Sequence, residues 1–223
     1  MSVSDQVEEG VVREHLEFVY RVRRPPEASA RTLILLHGSG VDETTMMPLG
    51  REIAPEATSI AVRARVVQDD SRRWFTRITP TRFHQKSIRA EAAAFARFVR
   101  KLAVAETFDP ARAVFVGYSN GGNLISSTVL LRPGLIRRAV LLRAMPVLAH
   151  APDADLADLA VLIIAGAGDE TYGGFAPGLA SLLSERGARV ETSTVASGHE
   201  IGRQDVERIR TWLANSEPSP GAV

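Results

Sequence analysis

The chain has 223 residues, enough for one α/β domain, with the 45% hydrophobic and 24% charged content of an ordinary globular protein. A net charge of +1 gives no electrostatic basis for binding nucleic acid or a membrane surface, and the absence of cysteine excludes disulfides, thiolate metal sites and a cysteine nucleophile. No apolar run reaches the roughly 18 residues of a membrane span and no signal-like segment opens the chain, so a cytoplasmic protein is expected.

Residues 1–10 are polar and expected to be mobile. His15 to Val22 places Leu16, Phe18, Tyr20 and Val22 on one face, the pattern of a half-buried antiparallel edge strand. Thr32 to Leu36 is continuously apolar and reads as a central strand covered on both faces. Asp42 is an N-cap for a helix with Met46, Leu49 and Ile53 inward. Ser59 to Val67 reads as a strand, and Gln68 to His84 as a long polar loop carrying Trp74 and Phe75. Ser87 to Ala105 has the apolar stripe of an amphipathic helix: Ile88, Ala92, Phe95, Val99 and Leu102. Strands are expected at Ala113 to Val116, Ala139 to Leu142, Val161 to Ala165 and Ala188 to Val195. Helices are expected at Phe175 to Glu185 and Ile201 to Leu213, with an irregular segment from Arg143 to Ala160. Residues 215–223 read as a flexible tail, leaving 11–214 as a single domain. Alternating strands and helices predict a mostly parallel central sheet with helices on both faces and no large cap domain.

The chain is organised around Gly117-Tyr118-Ser119-Asn120-Gly121, where an apolar strand meets a helical pattern. A serine in such a turn is held out at the carboxyl end of the strand, with backbone N–H groups of the helix N-terminus beside it. A hydroxyl needs a base, and the base needs an acid. His199, in a glycine-containing loop after the last strand, is the candidate base. Asp169, after Gly166-Ala167-Gly168, is the candidate acid, and Glu170 is the adjacent alternative. Asp169 could otherwise be a turn or capping residue. His37 reads as a structural hydrogen-bonding residue. The backbone N–H groups of Ser39 and Asn120 are the expected oxyanion donors. Trp74, Phe75, Met145 and Pro146 could wall a substrate pocket, or could belong to the core.

These stretches resemble the carboxylesterase/phospholipase branch of the α/β-hydrolase superfamily, which includes the acyl-protein thioesterases, and within it the bacterial group of hydroquinone-associated hydrolases. Leu35 to Gly40, Arg73-Trp74-Phe75, Phe108-Asp109, Gly117 to Asn123, Gly166 to Asp169 and Gly198-His199 carry the likeness. Family members often have Ala at Gly122 and Pro after the acid, where Glu170 stands here. The resemblance implies an α/β-hydrolase fold and ester hydrolysis through an acyl-enzyme, without metal or organic cofactor. The expected partner is a small-molecule ester, with no nucleic acid and no membrane span; a homodimer is compatible with this reading and not required by it. A small or short-acyl ester is the expected substrate. A thioesterase, lysophospholipase or acyltransferase would use the same residues, and a catalytically silent binding protein could retain the fold.

Overall fold

The computed structural model describes residues 10–215. The expected flexible ends therefore lie outside the described residues, apart from Gly10 and Asn215. Gly10 is not loose: it is buried, and its carbonyl accepts a hydrogen bond from Arg21 Nη1 at 3.0 Å.

An eight-stranded sheet runs in the order β1-β2-β4-β3-β9-β10-β11-β12. Its strands are β1 (Val11–Arg13), β2 (Tyr20–Arg23), β3 (Thr32–Leu36), β4 (Thr58–Val62), β9 (Val114–Tyr118), β10 (Arg138–Leu142), β11 (Ala160–Gly166) and β12 (Arg189–Val195). β1 and β2 pair antiparallel, β2 is antiparallel to β4, and the remaining pairs are parallel. The expected strand from His15 to Val22 is thus shorter and lies one position in from the edge. Its first half leaves the sheet as bends, although Phe18 still reaches the core.

The apolar runs of β3, β9, β10 and β11 are buried because both faces carry helices. Ile34, Leu36, Phe115, Leu141 and Ile163 enter one core with α2 (Gln85–Ala105), α3 (Asn120–Leu131) and α4 (Ala176–Ser184). Their strand neighbours Leu33, Leu35, Val116, Val140 and Ile164 enter the other, with α1 (Met47–Ile53) and α5 (Arg203–Asn215). Asp42 caps the 3-10 turn Glu43–Met46 that leads into α1, accepting a bond from the Thr44 backbone N–H. Among the described residues no helix is long and apolar enough to cross a membrane.

The expected loop from Gln68 to His84 is instead two hairpins, β5 (Val66–Gln68) with β6 (Ser71–Arg73) and β7 (Arg77–Thr79) with β8 (Arg82–Phe83). Asp69 and Asp70 join the first pair with φ of 51° and 56°. A two-residue hairpin turn with both φ positive matches strand twist, and aspartate tolerates that conformation. Between β10 and β11 the chain runs irregularly, as expected, without helix or strand.

Chain order reverses between β3 and β9. β3 is followed outward by β4, and β9 by β10 to β12. The connections leaving the two strands diverge there and open a crevice at their carboxyl ends.

Candidate active site

Ser119 occupies that crevice with φ 51° and ψ −114°, between the last residue of β9 and the first of α3. A β-carbon at φ near +50° is costly, and the surrounding structure must hold it. The Ser119 N–H donates to the Leu142 carbonyl at 2.7 Å, and its own carbonyl accepts from Asn123 N at 3.0 Å. The turn closes so tightly that a methyl group at Gly117 would lie 2.6 Å from Gly122 N, and one at Gly121 2.4 Å from the Leu36 carbonyl oxygen. Glycine is required at both positions for that close approach.

His199 follows β12. Its Nε2 lies 3.1 Å from Ser119 Oγ, and its Nδ1 lies 2.7 Å from Asp169 Oδ2. Asp169 follows β11 and is buried, and its other oxygen accepts from Tyr172 N at 3.0 Å. Glu170 beside it is exposed and takes no part in this chain of bonds. The acid and base loops are laced together: Ala167 N donates to Val195 O, and Gly168 N to Ser197 O, both at 2.9 Å. A methyl group on Gly166 would sit 2.1 Å from the Gly198 carbonyl oxygen, so the approach of the loops depends on that glycine.

No protein-family model matches the chain. The structure of a carboxylesterase from Mesorhizobium loti matches with a TM-score of 0.89 and 53% identity, over 92% of this chain and 99% of that one. The chain belongs to the carboxylesterase family of α/β hydrolases. The carboxylesterase of Bacillus cereus matches with a TM-score of 0.85 and 26% identity, covering 90% of this chain and 95% of that one. MhqD of Bacillus subtilis (strain 168) is 29% identical over 193 residues, 82% of this chain and 92% of that protein. As a member of this family the protein is a serine hydrolase acting on carboxylic esters.

In this carboxylesterase the imidazole of His199 is flanked by two tyrosines. The Tyr172 ring centre is 4.9 Å away and that of Tyr118 is 5.3 Å away. The Tyr118 hydroxyl donates to the His199 carbonyl at 3.1 Å, and burial pushes its pKa up to about 12, so it stays a donor. His37 is buried with Nε2 accepting from Ala64 N at 2.9 Å, which leaves Nδ1 to donate to the Gly38 carbonyl at 2.6 Å. Burial holds its pKa below the ordinary value, so it is a neutral structural residue, as its position suggested. The backbone N–H of Ser39 lies in the loop after β3, where a methyl group on Gly38 would sit 3.7 Å from Ser119 Cβ, and that of Asn120 opens α3. Neither makes a hydrogen bond among the described residues. Among the described residues no group of three or more His, Asp or Glu side chains could hold a metal ion.

Trp74 and Phe75 do not wall a pocket, because both are 0% exposed. The Trp74 indole N–H donates to the His37 carbonyl at 2.8 Å, its backbone N–H donates to Asn120 Oδ1 at 2.8 Å, and its ring packs on Phe18, Phe95 and His37. Phe75 packs edge-on against Phe83. Met145 is also buried, its N–H tied to Asn123 Oδ1 at 2.8 Å. Pro146 is half-exposed and lines a cleft of about 360 Å³ with Ile78, Phe83 and Val147, and Ser119 does not line that cleft. The apolar residues of the hairpin region therefore anchor the site from beneath.

Arg143 is a buried hub that composition concealed, in a chain where only Lys86 and Lys101 among the 27 basic residues are lysines. At φ 53° and fully buried, its guanidinium forms a bidentate pair with Asp205 (2.8 and 2.9 Å). It also donates to the Ser197 hydroxyl (2.9 Å) and to the carbonyls of Gly198 (3.0 Å) and Glu200 (3.0 Å), bracketing His199. No sequence signal marks it, since the contacts come from a loop 54 to 57 residues away.

Proposed function

We propose that Ser119, His199 and Asp169 form the catalytic triad of an esterase acting on small or short-acyl esters through an acyl-enzyme. The observation that carries this reading is the unbroken line of hydrogen bonds from Ser119 Oγ through both imidazole nitrogens to the Asp169 carboxylate, with the serine in a strained elbow. Ser119 Oγ attacks the ester carbonyl carbon while its proton passes to His199 Nε2. The N–H groups of Ser39 and Asn120 stabilise the oxyanion, a donor pair whose loss of one member costs about 3–4 kcal/mol in other systems. Collapse breaks the carbonyl–oxygen bond, and His199 returns the proton to the departing alcohol. Water repeats the cycle, releasing the acid and restoring Ser119. Asp169 holds the imidazole in the tautomer with Nδ1 protonated and stabilises the imidazolium.

Preference for short acyl groups is supported by the burial of Trp74, Phe75 and Met145, which leaves them no surface to offer a long chain. It is supported also by the lack of helix in the segment from 143 to 159. A methylene that stays in water gains little of the roughly 0.8 kcal/mol available on burial. The test is a panel of esters and thioesters of graded length with the native protein and Ser119→Ala. The expected result is a peak of kcat/KM at short acyl esters, with turnover and labelling by a covalent serine probe lost in Ser119→Ala. Unchanged turnover in a folded Ser119→Ala protein would overturn the triad. A steady rise to long fatty-acyl substrates would overturn the size preference, and faster thioester than ester cleavage would favour the thioesterase reading.

A further inference from the structure

Arg73, the last residue of β6, is an unpaired cation among the described residues. The residue is 6% exposed, and its Nε is sealed from solvent without a hydrogen-bond partner. Among the described residues its guanidinium makes no ion pair and no hydrogen bond. The other buried guanidinium, Arg143, is instead saturated by Asp205 and loop carbonyls. Guanidinium does not lose its proton in proteins, so a buried one cannot relieve its desolvation by neutralising.

Its neighbours in the chain tie its backbone to the segments that carry the elbow. The carbonyl of Arg72 accepts from Gly40 N at 2.9 Å, in the loop after β3, and Trp74 N donates to Asn120 Oδ1 at 2.8 Å, beside Ser119. Arg73 is also within electrostatic reach of Tyr172, whose ring lies against His199. The charges facing it are Arg77, which repels it, and Asp69 at the hairpin turn, which attracts it without forming an ion pair. Burial, and after it Arg77, work against the guanidinium charge.

We propose that Arg73 receives a carboxylate of the substrate, so that the preferred esters carry a free acid group within a few bonds of the scissile carbonyl. This rests on the esterase reading above and names its substrate class. An ester bound at Ser119 with its acid group at Arg73 restores the missing counter-charge in a place where water competes poorly. A planar guanidinium suits carboxylate through paired N–H···O bonds.

The experiment compares kcat/KM for three chromogenic or otherwise matched short esters. One carries the acid on the acyl side (a monoester of glutaric acid), one carries it on the alcohol side, and one is a neutral ester of equal length. The native protein should favour one acidic ester over the neutral one by about tenfold or more, as for a hydrogen bond to a charged group. The side of the acid tells which part of the substrate faces Arg73. The ratio should collapse toward one in Arg73→Gln and recover in part in Arg73→Lys. Equal rates for acidic and neutral esters, or a ratio unaltered in Arg73→Gln, would overturn the proposal. Recognition is also read with the chemistry removed, by calorimetric titration of glutarate into Ser119→Ala. Affinity should be lost in Ser119→Ala carrying Arg73→Gln, and equal affinities would overturn the proposal even where turnover behaves as expected. If no ester is cleaved while glutarate still binds through Arg73, the esterase reading fails and the acid site stands. Inhibition of the native protein by glutarate but not by glutaramide gives the same answer without a variant, and equal inhibition counts against it.

Discussion

At the scale of single residues, the acid and its neighbour separate cleanly. Asp169 is buried and bonded to His199, while Glu170 faces solvent. Asp169→Asn should reduce kcat by about 10³–10⁴-fold, because an amide in that place favours the wrong imidazole tautomer. Glu170→Gln should stay near the native rate. Pre-steady-state acyl-enzyme formation measures both, and a large loss in Glu170→Gln with near-normal Asp169→Asn would reverse the assignment. Arg143 bonds to both sides of the His199 loop. Truncating it to Met leaves the Asp205 carboxylate buried and unpaired, which should cost about 3–5 kcal/mol of stability. Arg143→Lys keeps the charge and cannot reach all the same acceptors. It should lower kcat with little change in KM, because His199 is displaced while substrate contacts remain. A rise in KM alone would assign Arg143 to binding.

At the scale of elements, the hairpin pair β5 to β8 is fastened to the elbow by Trp74, which links the His37 carbonyl and the Asn120 side chain. Trp74→Ala should cost about 3–5 kcal/mol in chemical denaturation, as for other buried large-to-small changes. Its effect on ester selectivity should be small, since the ring touches no substrate. A selective change in acyl preference with native stability would restore Trp74 to the pocket. The expectation that this region is an open loop failed for a local reason. Short strands of mixed polarity give little periodic signal, and the turn residues Asp69 and Asp70, which could have revealed the first hairpin, lack the glycine that usually marks such turns.

At the scale of the molecule, two buried groups make the fold acid-sensitive in the same direction. His37 is held below its ordinary value of 6.5, chiefly by burial, and it must be neutral to accept from Ala64. Its contribution is complete above pH 6.5 and is lost as pH falls through the folded-state value. Burial acts to raise the Glu43 pKa, but the bonds from Arg63 at 2.6 and 2.7 Å outweigh it and hold the carboxyl below its usual 4.5. That contribution is present above about pH 4.5 and is lost on further acidification. Melting temperature should therefore be level between about pH 6.5 and pH 9 and fall in two stages below pH 6.5. A melting temperature that rises between about pH 6.5 and pH 5 would contradict the burial assigned to His37.

What the amino-acid sequence determined by itself was the alternation of central strands and flanking helices, the two-faced burial of β3, and the serine turn. These rest on local signals: continuous apolar runs, one helical stripe, and glycines where backbones touch. It also nominated Ser119, Asp169 and His199, because in a parallel sheet the segments after the strands gather at one edge. Only the tertiary structure decided that Trp74, Phe75 and Met145 are foundations beneath the site and not its walls. A large apolar residue in a loop looks the same whether it faces the core or a ligand, and only the packing around it distinguishes the two. The same holds for the arginines. Arg143 and Arg73 are indistinguishable as letters, and the fold surrounds one guanidinium with acceptors and leaves the other with none among the described residues.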